Sequence, residues 1–255
     1  MPSSTIVYLC DRDLKPVTDH LVWTRVDATV RHLEPGTGVV TCAASPEVMA
    51  ELAAAETEGR VAVIQHDGEV WLAGPVERPH GDYLWDAGGG EAVEPGLITF
   101  YAVDYLGLVA ARQTYPVPTS PFDDQTAAAY YTASGTASTV LLNLVNANAG
   151  PGALPARRVP RLVMGADPLA GPTVEISTRF KPLLDEARSI VTRAGGAIGY
   201  RAVFDQAARE VTFEVYATPD LSRSVKFSRA LGNLRRVQLS TEIPRATTAL
   251  VAGQG

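Results

Sequence analysis

The sequence predicts an α+β protein, mainly β, in which two domains are joined by a helical connector. Short runs with alternating apolar residues recur along the chain and indicate strands, whereas helical patterns are few. A Pro/Ser/Asp-rich stretch over 116–125 separates two such regions. The length of 255 residues fits two domains of ordinary size. We therefore place a first β domain at 1–118, a linker and connector at 119–159, and a second domain at 160–255.

The first domain begins with strand patterns at 6–10 and at 21–31, the latter a long strand or a hairpin. Ser45-Pro46-Glu47 then predicts a helix start, with a capping serine, a proline at the first position and an acid near the positive end of the helix dipole. Gly59 is expected to end this helix after about three turns.

Asp67-Gly68 predicts the turn of a β-hairpin, because both residues tolerate the positive φ angles of a type I′ turn. Its strands are 60–66 and 69–74, with Val61 and Val63 facing Val70 and Leu72. The rest of the domain is predicted as a long loop or hairpin tip at 77–96 carrying Tyr83 and Trp85, a strand at 97–103, a short helix at 106–111 capped by Asp104, and an extended exit at 112–118.

Two helices are expected in the second half. The connector contains one at 138–149, which Gly150-Pro151 ends. The other spans 179–194, with Pro182 in its first turn and Gly195-Gly196 as its stop. Its apolar stripe is Phe180, Leu183, Leu184, Ala187, Ile190, Val191 and Ala194.

The second domain should continue with strands. A hairpin of 198–204 and 209–216 has alternating apolar residues, and further strands are predicted at 224–228, 235–242 and 247–251. The chain stops at Gly253-Gln254-Gly255 without a cap or a polar tail. We expect the second domain to continue beyond that point.

Charge is distributed unevenly along the chain. Residues 1–128 hold 7 Lys and Arg against 19 Asp and Glu, a net of −12, whereas residues 129–255 hold 15 against 9, a net of +6. Opposite charges of this kind steer association between copies or with neighbours, although two domains with different solvated faces would give the same totals. The candidate interface or lumen residues are Arg157, Arg158, Arg161, Arg235 and Arg236. No aromatic residues interleave these arginines as a base-stacking platform for nucleic acid would need.

No motif predicts catalysis, a metal or a cofactor. His20, His32, His66 and His80 lie far apart without metal-ligand spacing, and no GxSxG elbow occurs. Asp11-Arg12-Asp13 has the composition of a turn, and the glycines at 195–199 follow a helix instead of opening one, as a phosphate loop would. Cys10 and Cys42 are predicted to be free buried thiols. The chain has no membrane-span pattern and no secretion signal at its N-terminus, so we expect its synthesis to end in the cytoplasm.

The order of four segments resembles the baseplate or tail-tip hub proteins of siphophages that infect actinobacteria. These segments are VAVIQHDGEVWLAGPVE, LITFYAVDYLGLVAARQTYP, RFKPLLDEARSIVTRAGGAIGYRAVF and the C-terminal run from TPDLSRSVKFSRALGNL onward. The resemblance covers nearly the whole chain from Val7 onward.

The resemblance implies a homotrimeric ring that closes or extends the tail tube. Each chain would supply two tube-like β-barrel or sandwich domains, each with an accompanying helix, and the ring would have a lumen through which DNA passes with transient, non-specific contact. The implied partners are distal tail and tube proteins, the tape measure and tip proteins. The implied location is the virion tail tip, assembled in the host cytoplasm.

Two alternatives stay open. One is a tail-tip hydrolase of the cell envelope, which would need two carboxylates or a zinc site in a cleft. The other is a carbohydrate-binding module, for which the candidate exposed loop with Tyr83 and Trp85 offers the aromatic side chains.

Overall fold

A computed structural model of the chain describes residues 4–82, 96–221, 224–228, 230–233 and 236. The chain divides into two units, Met1–Thr218 and Pro219–Gly255, and the helices and strands below all lie in the first. They confirm a mainly β protein of the α+β class. The strands are β1 Thr5–Cys10, β2 Trp23–Thr29, β3 Thr37–Ala43, β4 Val61–His66, β5 Glu69–Asp82, β6 Leu97–Val103, β7 Tyr131–Thr136, β8 Leu162–Met164, β9 Thr173–Thr178, β10 Ile198–Asp205 and β11 Glu210–Ala217; the helices are α1 Pro46–Ala54, α2 Tyr105–Ala110, α3 Ala137–Asn148 and α4 Leu183–Arg193.

The first six strands form one antiparallel sheet in the order β1-β4-β5-β6-β3-β2. One face of this sheet packs on an apolar core, to which α1 contributes Val48 and Leu52. The strand residues buried in this core alternate along each strand, as a sheet with one face inward requires. They are Val7, Leu9, Val40, Cys42, Ala62, Ile64, Leu72, Ile98, Phe100 and Ala102.

Three local signals in the first half are realised as predicted, whereas α1 ends at Ala54, before the Gly59 that was expected to end it. The Ser45 side chain accepts a hydrogen bond from the Val48 N–H at 3.2 Å and caps α1. Asp104 caps α2 by accepting from the Leu106 N–H at 2.9 Å. Asp67 and Gly68 both have positive φ, 51° and 85°, as the predicted hairpin turn requires. Each of these signals acts within a few residues, which is why the sequence suffices to predict it.

A bulge in β5 makes the predicted facing pairs wrong, since Val61 lies opposite Pro75 and Val70 lies opposite Gln65. The register shifts between Ile64 and Gln65, so Trp71 becomes an extra residue, Leu72 lies opposite Ile64 and Ala73 lies opposite Val63. Leu72 therefore joins the inner core, while Val63 packs on the other side of the sheet. Val70 does share that side with Val63, in the second core.

The second core lies between the opposite side of β1, β4 and β5 and the elements that follow it in sequence. Helices α2, α3 and α4 pack here with the sheet β10-β11-β8 and the ribbon β7-β9. In the predicted hairpin, Tyr200 lies opposite Val215 and Ala202 opposite Phe213. The side chains of Tyr200, Phe213 and Val215 are buried, which confirms the alternation.

Helix α4 begins later than predicted. Phe180 has φ +50°, outside the helix, and Pro182 occupies the N-cap position. The Phe180 N–H instead donates to Thr114 at 2.7 Å and the Thr114 N–H donates to Lys181 at 2.9 Å, so this segment pairs with the exit from the first half. The rest of the stripe, from Leu183 to Ala194, is buried as predicted, and Gly195 and Gly196 end the helix with positive φ.

Several strands depend on partners far away in sequence. The sequence analysis predicted neither β3 nor the ribbon of β7 and β9, and β8 pairs with β11 in parallel. Residues 224–228 form no strand, so that prediction is wrong. The predicted strands at 235–242 and 247–251 fall outside the described residues, except for residue 236. Strands β5 and β6 pair down to Asp82 and Leu97, which confirms an extended hairpin, but its tip at 83–95 is not described.

Candidate assembly interface

The outward side of strands β2, β3 and β6 is partly exposed to solvent, and we call it the outer sheet face. Its residues form cross-strand rows, since Asp27 lies opposite Val39 and Val39 lies opposite Tyr101. Tyr101 and Leu97 are each 45% exposed. Large apolar side chains at the surface of a sheet are typical of a surface that binds another protein. The outer sheet face consists of Arg25, Asp27, Thr29, Thr37, Val39, Thr41, Ala43, Leu97, Thr99, Tyr101 and Val103.

The two edges of the six-stranded sheet differ. Residues 15–21 run beside β1 and cover it, with hydrogen bonds from the Val17 N–H to Leu9 at 2.9 Å and from the Leu21 N–H to Val7 at 2.7 Å. Within the described residues no strand pairs with the outer side of β2. An unpaired strand edge is a template for pairing with another chain. Charged Arg25 and Asp27, joined at 2.7 Å, and a bulge near Thr24 limit such pairing along the first half of β2.

Arg157, one of the predicted interface residues, points into the protein. Its side chain is nearly buried, donates to the Pro118 and Ser120 carbonyls at 3.1 and 2.7 Å, and lies over the Tyr115 ring at 3.5 Å from the centroid. The Gln125 side chain accepts from the Val117 N–H at 2.9 Å and fixes the same segment. The predicted linker over 116–125 is therefore tied to the body by polar contacts.

The other predicted arginines are more exposed. Arg158 donates to the Ala153 carbonyl at 2.9 Å, and Arg161 donates to Asp13 at 2.8 Å. The contact between Arg161 and Asp13 joins the two halves of the chain. Arg236 is also exposed. Arg235, together with Tyr83 and Trp85, lies outside the described residues. Arg157, Arg158 and Arg161 share one short segment.

Asp167 makes a side-chain contact that the sequence analysis did not identify. Its carboxylate accepts hydrogen bonds from the hydroxyl groups of Ser138, at 2.6 Å, and Thr139, both in the first turn of α3. Burial acts to raise the pKa of Asp167, but these hydrogen bonds outweigh it and hold the pKa below its usual value. The contact joins the start of α3, the predicted connector helix, to the segment before β9, with Thr139 and Asp167 lying 28 residues apart in sequence. The sequence indicates this contact only through a serine and a threonine near the start of a helix.

The described part of the chain gathers no group of three or more side chains suited to hold a metal ion. Cys10 and Cys42 are free and buried, as predicted, and burial raises the pKa of each thiol, that of Cys10 to about 12 and that of Cys42 to about 11. Neither thiol is therefore a thiolate near neutral pH. Among the helices described, none is long and apolar enough to cross a membrane.

Comparison with known proteins gives one family. The model of the family described as Siphovirus ReqiPepy6 Gp37-like protein matches residues 6–255. A search of the curated proteins finds no match.

Three solved structures that resemble this chain come from bacteria, one of them from a prophage. The 43 kDa tail protein of prophage MuSo2 from Shewanella oneidensis has 12% identity and a TM-score of 0.43, covering 82% of this chain and 54% of its own. A tail protein from Neisseria meningitidis MC58 has 10% identity and a TM-score of 0.44, covering 84% and 51%. An E. coli component of the type VI secretion system, described as similar to T4 tail proteins gp27 and gp5, has 8% identity and a TM-score of 0.42, covering 85% and 47%. The chain thus spans about half the length of these proteins.

Proposed function

The chain belongs to the Siphovirus ReqiPepy6 Gp37-like protein family, and from this premise we propose that it is a structural hub protein of a phage tail tip. In this proposal three copies form a ring that closes or extends the tail tube, links it to distal tip proteins, and leaves a lumen for DNA. The observation that carries the proposal is the family match over residues 6–255, because it includes both halves of the chain. The two β parts of the hub would be 1–118 and 160–255, joined by 119–159.

The outer sheet face supports assembly with other chains. On this face, strand β6 carries Tyr101 and Leu97, each 45% exposed. A closed ring covers such a face, because each copy presents one surface to the next copy and receives another. Neighbouring copies and other tail proteins are the partners that this surface fits.

Charge supports a head-to-tail contact. The first 128 residues carry −12 and the rest +6, so a contact between unlike halves of two copies pairs opposite charges. Arg60, nearly buried, already pairs with Glu51 and Glu58 at 2.5 and 2.8 Å, whereas Glu56 is exposed and adds to the acidic surface. On the basic half, Arg158 is exposed. Association through such charges weakens as salt increases.

The oligomeric state of the purified chain tests the proposal. We expect analytical ultracentrifugation to show a trimer at low salt that dissociates at high salt. Tyr101→Asp places a charge on the outer sheet face and should give a monomer with an unchanged circular dichroism spectrum. Thr132→Asp, on the exposed side of β7, is the matched control and should remain trimeric. A chain that stays monomeric at every concentration and salt level would contradict the ring.

Location and catalysis are tested on virions and cell walls. Antibody labelling in electron microscopy should mark the tail tip, and labelling along the tail or at the head would overturn this assignment. We assign the chain no enzymatic role, so incubation with host cell walls should release no soluble fragments. Release of fragments would favour the hydrolase alternative, and binding to walls without release would favour the carbohydrate-binding alternative.

A further inference from the structure

A groove of about 810 Å³ runs between the six-stranded sheet and the β10–β11 hairpin. Two of its walls are strands, β2 near Ala28 and β10 near Ala202, and both are edge strands of their sheets. Trp71, the extra residue of the β5 bulge, also lines the groove and is 47% exposed. The groove is distinct from the outer sheet face, on which the proposed ring depends.

The hydrogen-bond alternation shows which backbone groups of β2 face this groove. The Asp104 N–H donates to Gly36 at 3.1 Å, so even-numbered residues of β3 bond to β6 and odd-numbered ones bond to β2. In β2 the residues opposite those odd positions are 25, 27 and 29. The backbone N–H and C=O of Val26 and Ala28 therefore point away from the sheet, and those of Ala28 point toward the groove.

The same argument applies to β10. The Thr218 N–H donates to Ala197 at 3.0 Å, so odd-numbered residues of β10 bond to β11. The backbone groups of Ala202 and Phe204 consequently point to the open side. No backbone group elsewhere in the described residues bonds to them or to Ala28.

The side chains around the groove match a polypeptide better than another ligand. Val30, which follows β2, is 67% exposed and lies in the groove with Trp71. Arg31 and Glu69 are exposed, and neither forms an ion pair with another described residue. The Arg31 side chain donates to the Pro35 carbonyl at 3.0 Å, and its charge also acts on the nearby Asp104 carboxylate. The groove thus combines unpaired backbone groups, apolar side chains and charges of both signs. Its lining also includes Asp104 and Arg201, of which Arg201 already pairs with Glu214 at 2.6 Å.

We propose that this groove binds one extended segment of a partner protein, which adds a strand between β2 and β10. A strand satisfies the open backbone groups of both edges, whereas an α-helix bonds its own backbone groups and has none to offer. Its apolar side chains would contact Val30 and Trp71, and an acidic and a basic residue would pair with Arg31 and Glu69. Strand addition of this kind takes its affinity from the backbone and its specificity from alternate side chains.

Selection from a library of short random peptides tests the proposal. We expect the wild-type chain to enrich peptides with alternating apolar residues, an acid and a base, and fluorescence anisotropy to measure their affinity. Ala202→Pro removes an N–H that faces the groove without removing a bond to β11, and should weaken binding at least about tenfold. Val26→Pro is the matched control, because it removes an outward N–H of β2 that does not line the groove, and should leave the affinity unchanged.

Val30→Asp tests the groove without a proline that could disturb folding. Val30 is mostly exposed, so its replacement should leave the melting curve unchanged. It should weaken peptide binding to a similar degree. Failure to enrich such peptides, or equal affinity in all three variants, would overturn the inference. If Val30→Asp instead dissociates an oligomer, the occupant is a second copy and the inference is also wrong. A chain that forms trimers but selects no peptide would contradict this inference and leave the proposed hub function unaffected. Tyr101→Asp should abolish the trimer and retain peptide binding.

Discussion

Replacing Gly74 by alanine tests how closely β5 approaches the end of β6. Gly74 lies in β5 opposite Ala62, and an added Cβ would meet the Val103 carbonyl oxygen at 1.7 Å, the Val103 carbonyl carbon at 2.6 Å and the Asp104 Cα at 2.7 Å. All three are backbone atoms, so no rotamer change relieves the contact. Since ordinary contact begins near 3.4 Å, the two segments would have to separate by roughly 1.7 Å.

This separation would strain the β5–β6 pairing and the capping bond from the Leu106 N–H to Asp104. Overpacking a well-filled site costs about 1–3 kcal/mol, and occasionally more. Because backbone must move here, we expect a loss of at least about 3 kcal/mol in the free energy of unfolding, a large part of the roughly 5–15 kcal/mol of a typical domain.

Urea denaturation followed by tryptophan fluorescence and circular dichroism measures this loss. Gly165→Ala is the matched control, because its added Cβ would lie no closer than 3.2 Å to a neighbouring atom, and it should cost about 1 kcal/mol or less. If Gly74→Ala has the stability of the wild type, then β5 and β6 are not as close as described and the reasoning is refuted. Equal losses in the two variants would refute it as well.

Three further changes probe the second half of the chain. Asp167→Ala should cost about 1–2 kcal/mol at neutral pH by removing the bonds from Ser138 and Thr139. The pKa of Asp167 is lower in the folded state than in the unfolded state, so its carboxylate contributes to the free energy of unfolding above the unfolded pKa of about 3.9. This contribution is lost as pH falls through the folded pKa, and the urea midpoints of Asp167→Ala and wild type should therefore converge in acid. A difference between the midpoints that stays constant with pH would contradict this prediction. Arg157→Met should speed amide hydrogen exchange at residues 116–125 and leave the exchange rates in β1 unchanged, because only residues 116–125 lose hydrogen bonds to Arg157. An equal increase in both segments would contradict this prediction. Leu184→Asp should unfold the chain cooperatively by burying an unpaired charge, and an unaltered melting curve would show that the stripe of α4 is not buried.

The candidate surfaces could be predicted only in part. The charge totals follow from composition, and the arginine segment at 157–161 was named from sequence. That Arg157 is turned inward over Tyr115 depends on a carbonyl-lined site formed by residues about 40 positions earlier, which no local pattern reveals. The outer sheet face and the groove arise from strand order, and strand order is set by contacts between distant segments.

Elements whose signals are local could be predicted from the amino-acid sequence alone. The cap at Ser45, the turn at Asp67-Gly68 and the apolar stripe of α4 each require only a few neighbouring residues, because hydrogen bonds to nearby backbone and helical periodicity act at short range. Tertiary structure alone decided the bulge at Trp71, the late start of α4 and the pairing of β7 with β9. In each of these the backbone finds its partner far along the chain, as Phe180 does with Thr114, and the free energy of that long-range pairing outweighs the local preference.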